Sequence, residues 1–248
     1  MIDTTTLLVL GVIFLATLVR STFGFGEALV AVPLLAFFLP ISVATPVAVL
    51  MSITIAAIVV AQDWRKVHMR STGWLVFSSL LGIPLGLWLL TCTHQTAVKI
   101  ALAGIIIAFA VYSLAVKSPP ELHSDSRAWL LSCGFLAGAL GGAYGMNGPA
   151  LAIYGSMRRW SAQHFRATLQ GYFLPASIIG MAGYWSAGLW TRTVTHYYLV
   201  SLPAALPAIW IGRFLNHRLR GDIFMKYVYL GLAAIGVLLL LQTVGRPH

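Results

Sequence analysis

Acidic side chains are scarce in this sequence: six Asp and Glu occur among 248 residues, and charged residues of both signs make up 9%. A soluble globular domain has about 25% charged residues, whereas 59% of this chain is hydrophobic and its mean hydropathy is +0.86. The composition excludes an ordinary soluble protein and predicts that most of the chain lies in the lipid bilayer. The net charge of +10 does not indicate binding to nucleic acid, because the basic residues do not form a patch on a soluble domain.

Sequence motifs for catalysis and metal binding are missing as well. The two cysteines, Cys92 and Cys133, belong to no CxxC or Cys/His cluster, and the seven histidines form no HExxH. The phosphate-binding motif G-x-x-x-x-G-K-[ST] is absent, which argues against ATP-driven pumping by this chain. We therefore predict that the protein is not an enzyme, with no catalytic residues, no metal site and no cofactor.

Ten apolar segments, separated by charged or turn-rich breaks, make up most of the chain. They lie near residues 5–19, 26–40, 43–61, 73–91, 98–116, 128–144, 148–157, 167–188, 195–212 and 224–243. The alternation of polar and apolar residues that is typical of membrane strands is absent. Because a spanning helix needs about 20 apolar residues, we predict an all-α polytopic membrane protein with about 8–10 membrane segments.

Two similar stretches, GFGEALVAVP at 24–33 and GMNGPALAIY at 145–154, lie 121 residues apart. In each, glycines interrupt an apolar region, and a short apolar run follows. Glycine-interrupted segments at matching places in two halves of a membrane protein point to a transporter binding site. The alternative is close helix packing through small residues.

The connection 118–127 divides the apolar segments into five before it and five after it. An odd number of segments reverses the orientation of the second copy, so we predict an inverted repeat of residues 1–117 and 128–248. Each half contains a glycine-broken hairpin that is either short or re-entrant. Two half-helix N-termini, with their partial positive charge, would then meet near the midplane and form an anion site.

The distribution of basic residues supports this topology. If the N-terminus is outside, thirteen of the 16 Lys and Arg, Arg20 and Arg166 among them, fall on the cytoplasmic side. The other three are Lys99, Arg192 and Arg246. Because cytoplasmic loops are enriched in Lys and Arg, we predict a multi-pass protein of the cell inner membrane with both termini outside.

Three polar residues near the glycine turns are candidates for chemistry. Glu27 is the one acid well inside an apolar stretch; it either couples protonation to anion movement, orients a cation or a hydroxyl, caps a half-helix or pairs with Arg20. Arg20 either binds an oxyanion or anchors the chain at the cytoplasmic face. Asn147 either binds an oxyanion or caps a helix. The predicted substrate-binding residues are Arg20, Gly24, Phe25, Gly26, Glu27, Tyr144, Gly145, Met146, Asn147, Gly148, Pro149 and Gln170.

The paired glycine motifs, the length and the two halves resemble the sulfite exporter TauE/SafE family of membrane anion permeases over nearly the whole chain. Typical elements of that family read GxGGGxxxVP and GxGGGPxxxP. In this sequence Glu27 and Asn147 replace motif glycines, and Tyr154 stands where a proline is common. These departures are where we look for substrate choice and coupling.

The resemblance implies a secondary permease that moves small sulfur-containing anions, such as sulfite or organosulfonates, across the membrane by alternating access. A transporter of another organic anion, or a membrane scaffold subunit that transports nothing, is the alternative. The direction of transport, the choice between H⁺ and Na⁺ as coupling ion and the formation of homo-oligomers stay open at the level of the sequence.

Overall fold

The computed structural model describes residues 4–63, 67–116, 122, 126–158, 162–218 and 221–244, and all regular structure within these ranges is α-helical. The helices are α1 (Thr4–Phe23), α2 (Glu27–Leu35), α3 (Ile41–Asp63), α4 (Met69–Cys92), α5 (Gln95–Ala115), α6 (Arg127–Tyr144), α7 (Gly148–Met157), α8 (Ala162–Ser186), α9 (Arg192–Arg218) and α10 (Gly221–Val244). Each coincides with one of the ten apolar segments. The all-α prediction is therefore confirmed for the described residues.

Helices α2 and α7 are too short to cross a membrane. They contain 9 and 10 residues, and at about 1.5 Å per residue each covers roughly half of a hydrocarbon core of about 30 Å. Among the described residues, five helices are long and apolar enough to span: α1, α3, α4, α5 and α9. The protein is thus a multi-pass membrane protein, and the described residues contain five candidate spans where we predict about 8–10 membrane segments for the whole chain.

Helices α4 and α6 approach each other closely because glycines lie along their contact. A Cβ atom on Gly86 of α4 would overlap the backbone of Ala139 in α6, and one on Gly138 would lie 2.5 Å from the carbonyl oxygen of Ser79. Lipid tails are as apolar as the side chains, so helices in a bilayer associate through such close van der Waals contact. The absence of Cβ atoms at these places is what allows the contact.

The most extensive helix contacts join the first half of the chain to the second. Helix α1 packs along α9, α4 along α6, α3 along α8, and α5 along α10. Each half is therefore interleaved with the other and does not form a body of its own. Helix α3 is the most buried of the five spanning candidates, whereas large apolar side chains such as Phe77, Trp88 and Trp210 are exposed at the outer surface.

Candidate functional site

Both glycine motifs form turns between a long helix and a short one. Gly24 and Gly26, between α1 and α2, have φ angles of +87° and +100°. Gly145, between α6 and α7, has a φ of +67°. A side chain with a Cβ is strained in this left-handed region, so glycine is the residue that permits each turn. The structure thus places a chain reversal at both predicted motifs.

The two turns lie against each other inside the protein. A Cβ on Gly148 would lie 3.3 Å from Cδ2 of Phe25 and 3.9 Å from the backbone nitrogen of Gly26. The first turn also contacts α8, since a Cβ on Gly24 would lie 3.0 Å from Cγ of Arg166. Two motifs that are far apart along the chain are therefore neighbours in the fold.

A small cavity of about 20 Å³ lies where the turns meet. It is lined by Arg20, Phe25, Gly26, Glu27, Ala28, Leu29, Ser52, Gly145, Met146, Asn147, Gly148 and Phe173. Eight of the twelve predicted site residues are in this lining. A water molecule needs roughly 10–15 Å³ of such volume, so the cavity has room for about one water. A sulfur atom with its oxygens would fit only after the lining residues move.

Arg20, in the last turn of α1, is the cation of this cavity. Its side chain is 3% exposed, and Nη1 donates to Oε2 of Glu27, forming a buried ion pair. Nη1 also donates to Oγ of Ser52 at 2.7 Å, and the guanidinium lies 4.8 Å from the ring centroid of Phe173. An anchor at the membrane surface would be exposed, and the Arg20 side chain is buried in the protein. Arg166, also counted at the cytoplasmic face, is buried in α8.

Hydrogen bonds tie the arginine to helices from both halves. Nη2 of Arg20 donates to Oε1 of Gln170 at 2.7 Å, and Nε2 of Gln170 donates to the carbonyl oxygen of Gly24 at 2.7 Å. The hydroxyls of Ser52 in α3 and Ser177 in α8 are 3.2 Å apart. Gln170 thus holds the arginine and the first glycine turn together, although it does not line the cavity itself.

Two buried oxygens at the cavity-lining residues lack hydrogen-bond partners within the described part of the chain. They are Oε1 of Glu27 and Oδ1 of Asn147, whose side chains are 2% and 6% exposed. The Asn147 amide packs against Gly141 so closely that a Cβ on Gly141 would overlap Oδ1. Polar groups buried without partners are uncommon and costly, which makes these atoms candidates for ligand contact.

Helix ends reinforce the electrostatics of the site. Glu27 lies in the first turn of α2, next to the partial positive charge of the helix N-terminus, and Arg20 lies in the last turn of α1. Each charge is favourable at its helix end. Within the residues that the structure describes, no group of three or more His, Cys, Asp or Glu side chains is placed to hold a metal ion.

Three other predicted site residues also lie outside the lining. Gly24 forms the turn and accepts a hydrogen bond from Gln170. Tyr144 donates from its hydroxyl to the carbonyl oxygen of Val98 at 3.1 Å, which directs the group toward α5. Pro149 is buried in the first turn of α7, where a missing N–H costs nothing. These residues shape the turns and do not line the cavity.

Several residues at the site carry no signal in the sequence. Ser52 and Phe173 lie in the middle of long apolar helices and reach the cavity only because α3 and α8 cross there. Gly141 is one of several glycines in α6, and its proximity to Asn147 depends on how α7 folds back. Tyr184 donates to the carbonyl oxygens of Gly141 and Gly142 at 2.8 and 2.7 Å. These contacts are long-range, so periodicity or motif spacing could not have revealed them.

Comparison with known proteins identifies the family. The sequence model described as "Sulfite exporter TauE/SafE" matches residues 9–239, nearly the whole chain. No curated protein and no solved structure matches the chain. Members of the matched family are membrane transporters and not enzymes, which confirms the prediction that the protein is not an enzyme. The chain therefore belongs to the sulfite exporter TauE/SafE family.

Proposed function

We propose that the protein is a secondary permease that moves small sulfur-containing anions, sulfite or organosulfonates, across the cell inner membrane. The observation that carries this proposal is Arg20, a buried cation at a cavity where two glycine turns from opposite halves meet. A buried arginine inside a membrane protein is costly and points to function. Family membership supports an anion such as sulfite as the cargo.

The site suits an oxyanion for two physical reasons. A guanidinium donates charge-assisted hydrogen bonds to oxyanions. The N-termini of α2 and α7, at Glu27 and Gly148, adjoin the same cavity and add partial positive charge through their free N–H groups. Broken helices whose N-termini point at an anionic substrate are a recurrent arrangement in secondary transporters.

The helix pairing supports an inverted repeat of residues 1–117 and 128–248, joined by 118–127. In such a repeat α1 corresponds to α6, α3 to α8, α4 to α9 and α5 to α10. Exchanging corresponding helices turns the α1–α9 contact into the α6–α4 contact, and it leaves the α3–α8 and α5–α10 contacts unchanged. A two-fold relation between halves produces this exchange. We propose that the two copies have opposite orientations, with both termini outside, and the excess of Lys and Arg in the loops assigned to the cytoplasmic side supports this.

The small size of the cavity supports alternating access. Space for about one water cannot admit the substrate, so we propose that the helices around the cavity move apart on one side of the membrane and then on the other. The interleaved pairs α1–α9 and α4–α6 make rocking of one helix group against the other the natural motion.

Flux into proteoliposomes tests the proposal. Radiolabelled sulfite and methanesulfonate should show saturable uptake, which Arg20→Gln abolishes and Arg70→Gln, at an exposed arginine of α4, leaves intact. Gradients of H⁺ and of Na⁺, imposed separately, identify the coupling ion. Absence of saturable flux under every gradient would overturn the proposal and favour a scaffold subunit. Uptake of carboxylates but not of sulfur oxyanions would instead assign another organic anion.

A further inference from the structure

Both terminal nitrogens of the Arg20 guanidinium already donate to groups of the protein itself, and Nε is buried without a hydrogen-bond partner among the described residues. Nη1 donates to Glu27 and Ser52, and Nη2 donates to Gln170. Of these partners only Glu27 is an anion. An oxyanion that enters the cavity therefore meets an arginine whose ionic partner is a carboxylate of the same chain.

The Glu27 carboxylate and a sulfur oxyanion are recognised by the same chemistry. Both accept charge-assisted hydrogen bonds from a guanidinium through negatively charged oxygens. Glu27 is held through one oxygen, because Oε2 accepts from Arg20 whereas Oε1 is buried without a hydrogen-bond partner among the described residues. The carboxylate can thus leave the arginine by breaking one contact.

We propose that Glu27 is a tethered substitute for the transported anion. It pairs with Arg20 when the carrier is empty, and the substrate displaces it on binding. A buried cation without an anion is strongly destabilising. By pairing with Arg20, Glu27 balances the buried positive charge while the empty carrier changes conformation. The inference rests on the proposed function. It gives Glu27 the role of allowing the carrier to return across the membrane without substrate.

A tethered competitor has two measurable consequences. Because it is present at a high effective concentration, it lowers the apparent affinity of the site for the free anion. It also permits net transport, since the carrier must return empty in each cycle. Removing the charge of Glu27 should therefore tighten anion binding and at the same time impair net uptake.

Binding to the purified protein gives the first test. Calorimetric titration with sulfite should show that Glu27→Gln binds about tenfold more tightly than the wild type or better. Glu27→Asp keeps the carboxylate and is the matched control, with an affinity close to that of the wild type. Equal or weaker binding of sulfite by Glu27→Gln would overturn the inference.

Two modes of transport give the second test. In proteoliposomes, Glu27→Gln should retain exchange of external labelled sulfite for internal sulfite, because the substrate itself compensates Arg20 in both directions. Net uptake into vesicles without internal sulfite should fall by about tenfold or more, a loss of the same order as the gain in affinity. Equal loss of exchange and net uptake, or no change in either, would contradict the inference.

Failure of the two proposals gives different results. A wild type that neither binds nor moves sulfite and methanesulfonate overturns the proposed function and this inference with it. A wild type that transports, with a Glu27→Gln variant that binds no more tightly, overturns the inference alone. If Glu27→Gln does not fold, Glu27→Gly, which restores the glycine typical of the family motif, takes its place with the same expected results.

Discussion

The two glycine turns build one cavity from unequal parts. The first turn carries a buried ion pair, Arg20 with Glu27, and has two glycines with positive φ. The second has a single such glycine, Gly145, and presents the neutral amide of Asn147. The repeated glycines supply the geometry, because both turns must reverse the chain inside the protein. The charge is supplied by one turn only, so that turn is where we expect anion recognition.

We expect the largest effect on stability and transport from replacing Arg20, the cation of the first turn. Arg20→Gln leaves Glu27 buried without its cation, and we expect a loss of about 3–5 kcal/mol in the free energy of unfolding together with loss of flux. The double variant Arg20→Gln/Glu27→Gln removes both charges and should recover most of the stability without recovering flux. Unfolding in detergent and sulfite uptake measure the two quantities. Restored flux in the double variant would contradict a role for Arg20 in binding the anion.

The next effect concerns the contact between α4 and α6, the helix that leads into the second turn. Gly86→Ala puts a Cβ into the backbone of Ala139, so we expect a destabilisation of about 1–3 kcal/mol from overpacking. Gly73→Ala is the control in the same helix, because a Cβ there meets nothing within 4 Å. It should be neutral or slightly stabilising, since alanine favours helix. Equal thermal unfolding of the two variants in detergent would rule out close α4–α6 packing.

Replacing one glycine of each turn by alanine compares how much each turn depends on a backbone conformation that only glycine adopts easily. Gly26→Ala forces alanine into a φ near +100° and should cost about 1–2 kcal/mol of stability. Gly148 does not have a positive φ, and its Cβ would lie 3.3 Å from Phe25, as close as a Cβ on Gly26 would lie to Val19, so Gly148→Ala should cost less. Thermal unfolding in detergent measures both. A larger cost at Gly148 would show that contact between the turns, and not backbone strain, limits this region.

The smallest expected effect tests the Asn147 side of the cavity. Gly141→Ala displaces the Asn147 side chain, which can rotate away, so we expect a destabilisation near the lower end of overpacking, about 1 kcal/mol. The KM for sulfite should rise, while Asn147→Ala added to Gly141→Ala relieves the clash. A double-mutant cycle measures this coupling. Additive effects of the two substitutions would show that they do not interact.

Much of the fold could be predicted because lipid imposes simple rules. Ten apolar segments became ten helices in the described residues, since a backbone in lipid must satisfy its hydrogen bonds internally. The number of spanning helices was harder to predict. An apolar run such as 26–40 gives no sign that the helix ends at Leu35. Arg20 was hard to place for a related reason, because its neighbours in the chain are equally compatible with the membrane surface and with the interior.

The candidate site was predictable as two turns but not as a network. Glycine at 24, 26 and 145 is a local requirement of backbone geometry, so these positions could be identified from the chain alone. Ser52, Phe173 and Gly141 contribute through contacts between helices that are distant in sequence. Nothing in their local surroundings distinguishes them from other small or apolar residues of a membrane helix.

The sequence by itself determined the membrane environment, the ten helices and the positions of the two glycine turns. Hydropathy and the backbone freedom of glycine are local properties of the chain. Only the tertiary structure decided that both breaks meet at one cavity and that Glu27 pairs with Arg20 there. The physical reason is that a buried charge takes its partner from whichever groups the packed helices bring within reach. Which groups reach Arg20 depends on how α3 and α8 pack beside the turns, and this packing cannot be read from the order of residues in the chain.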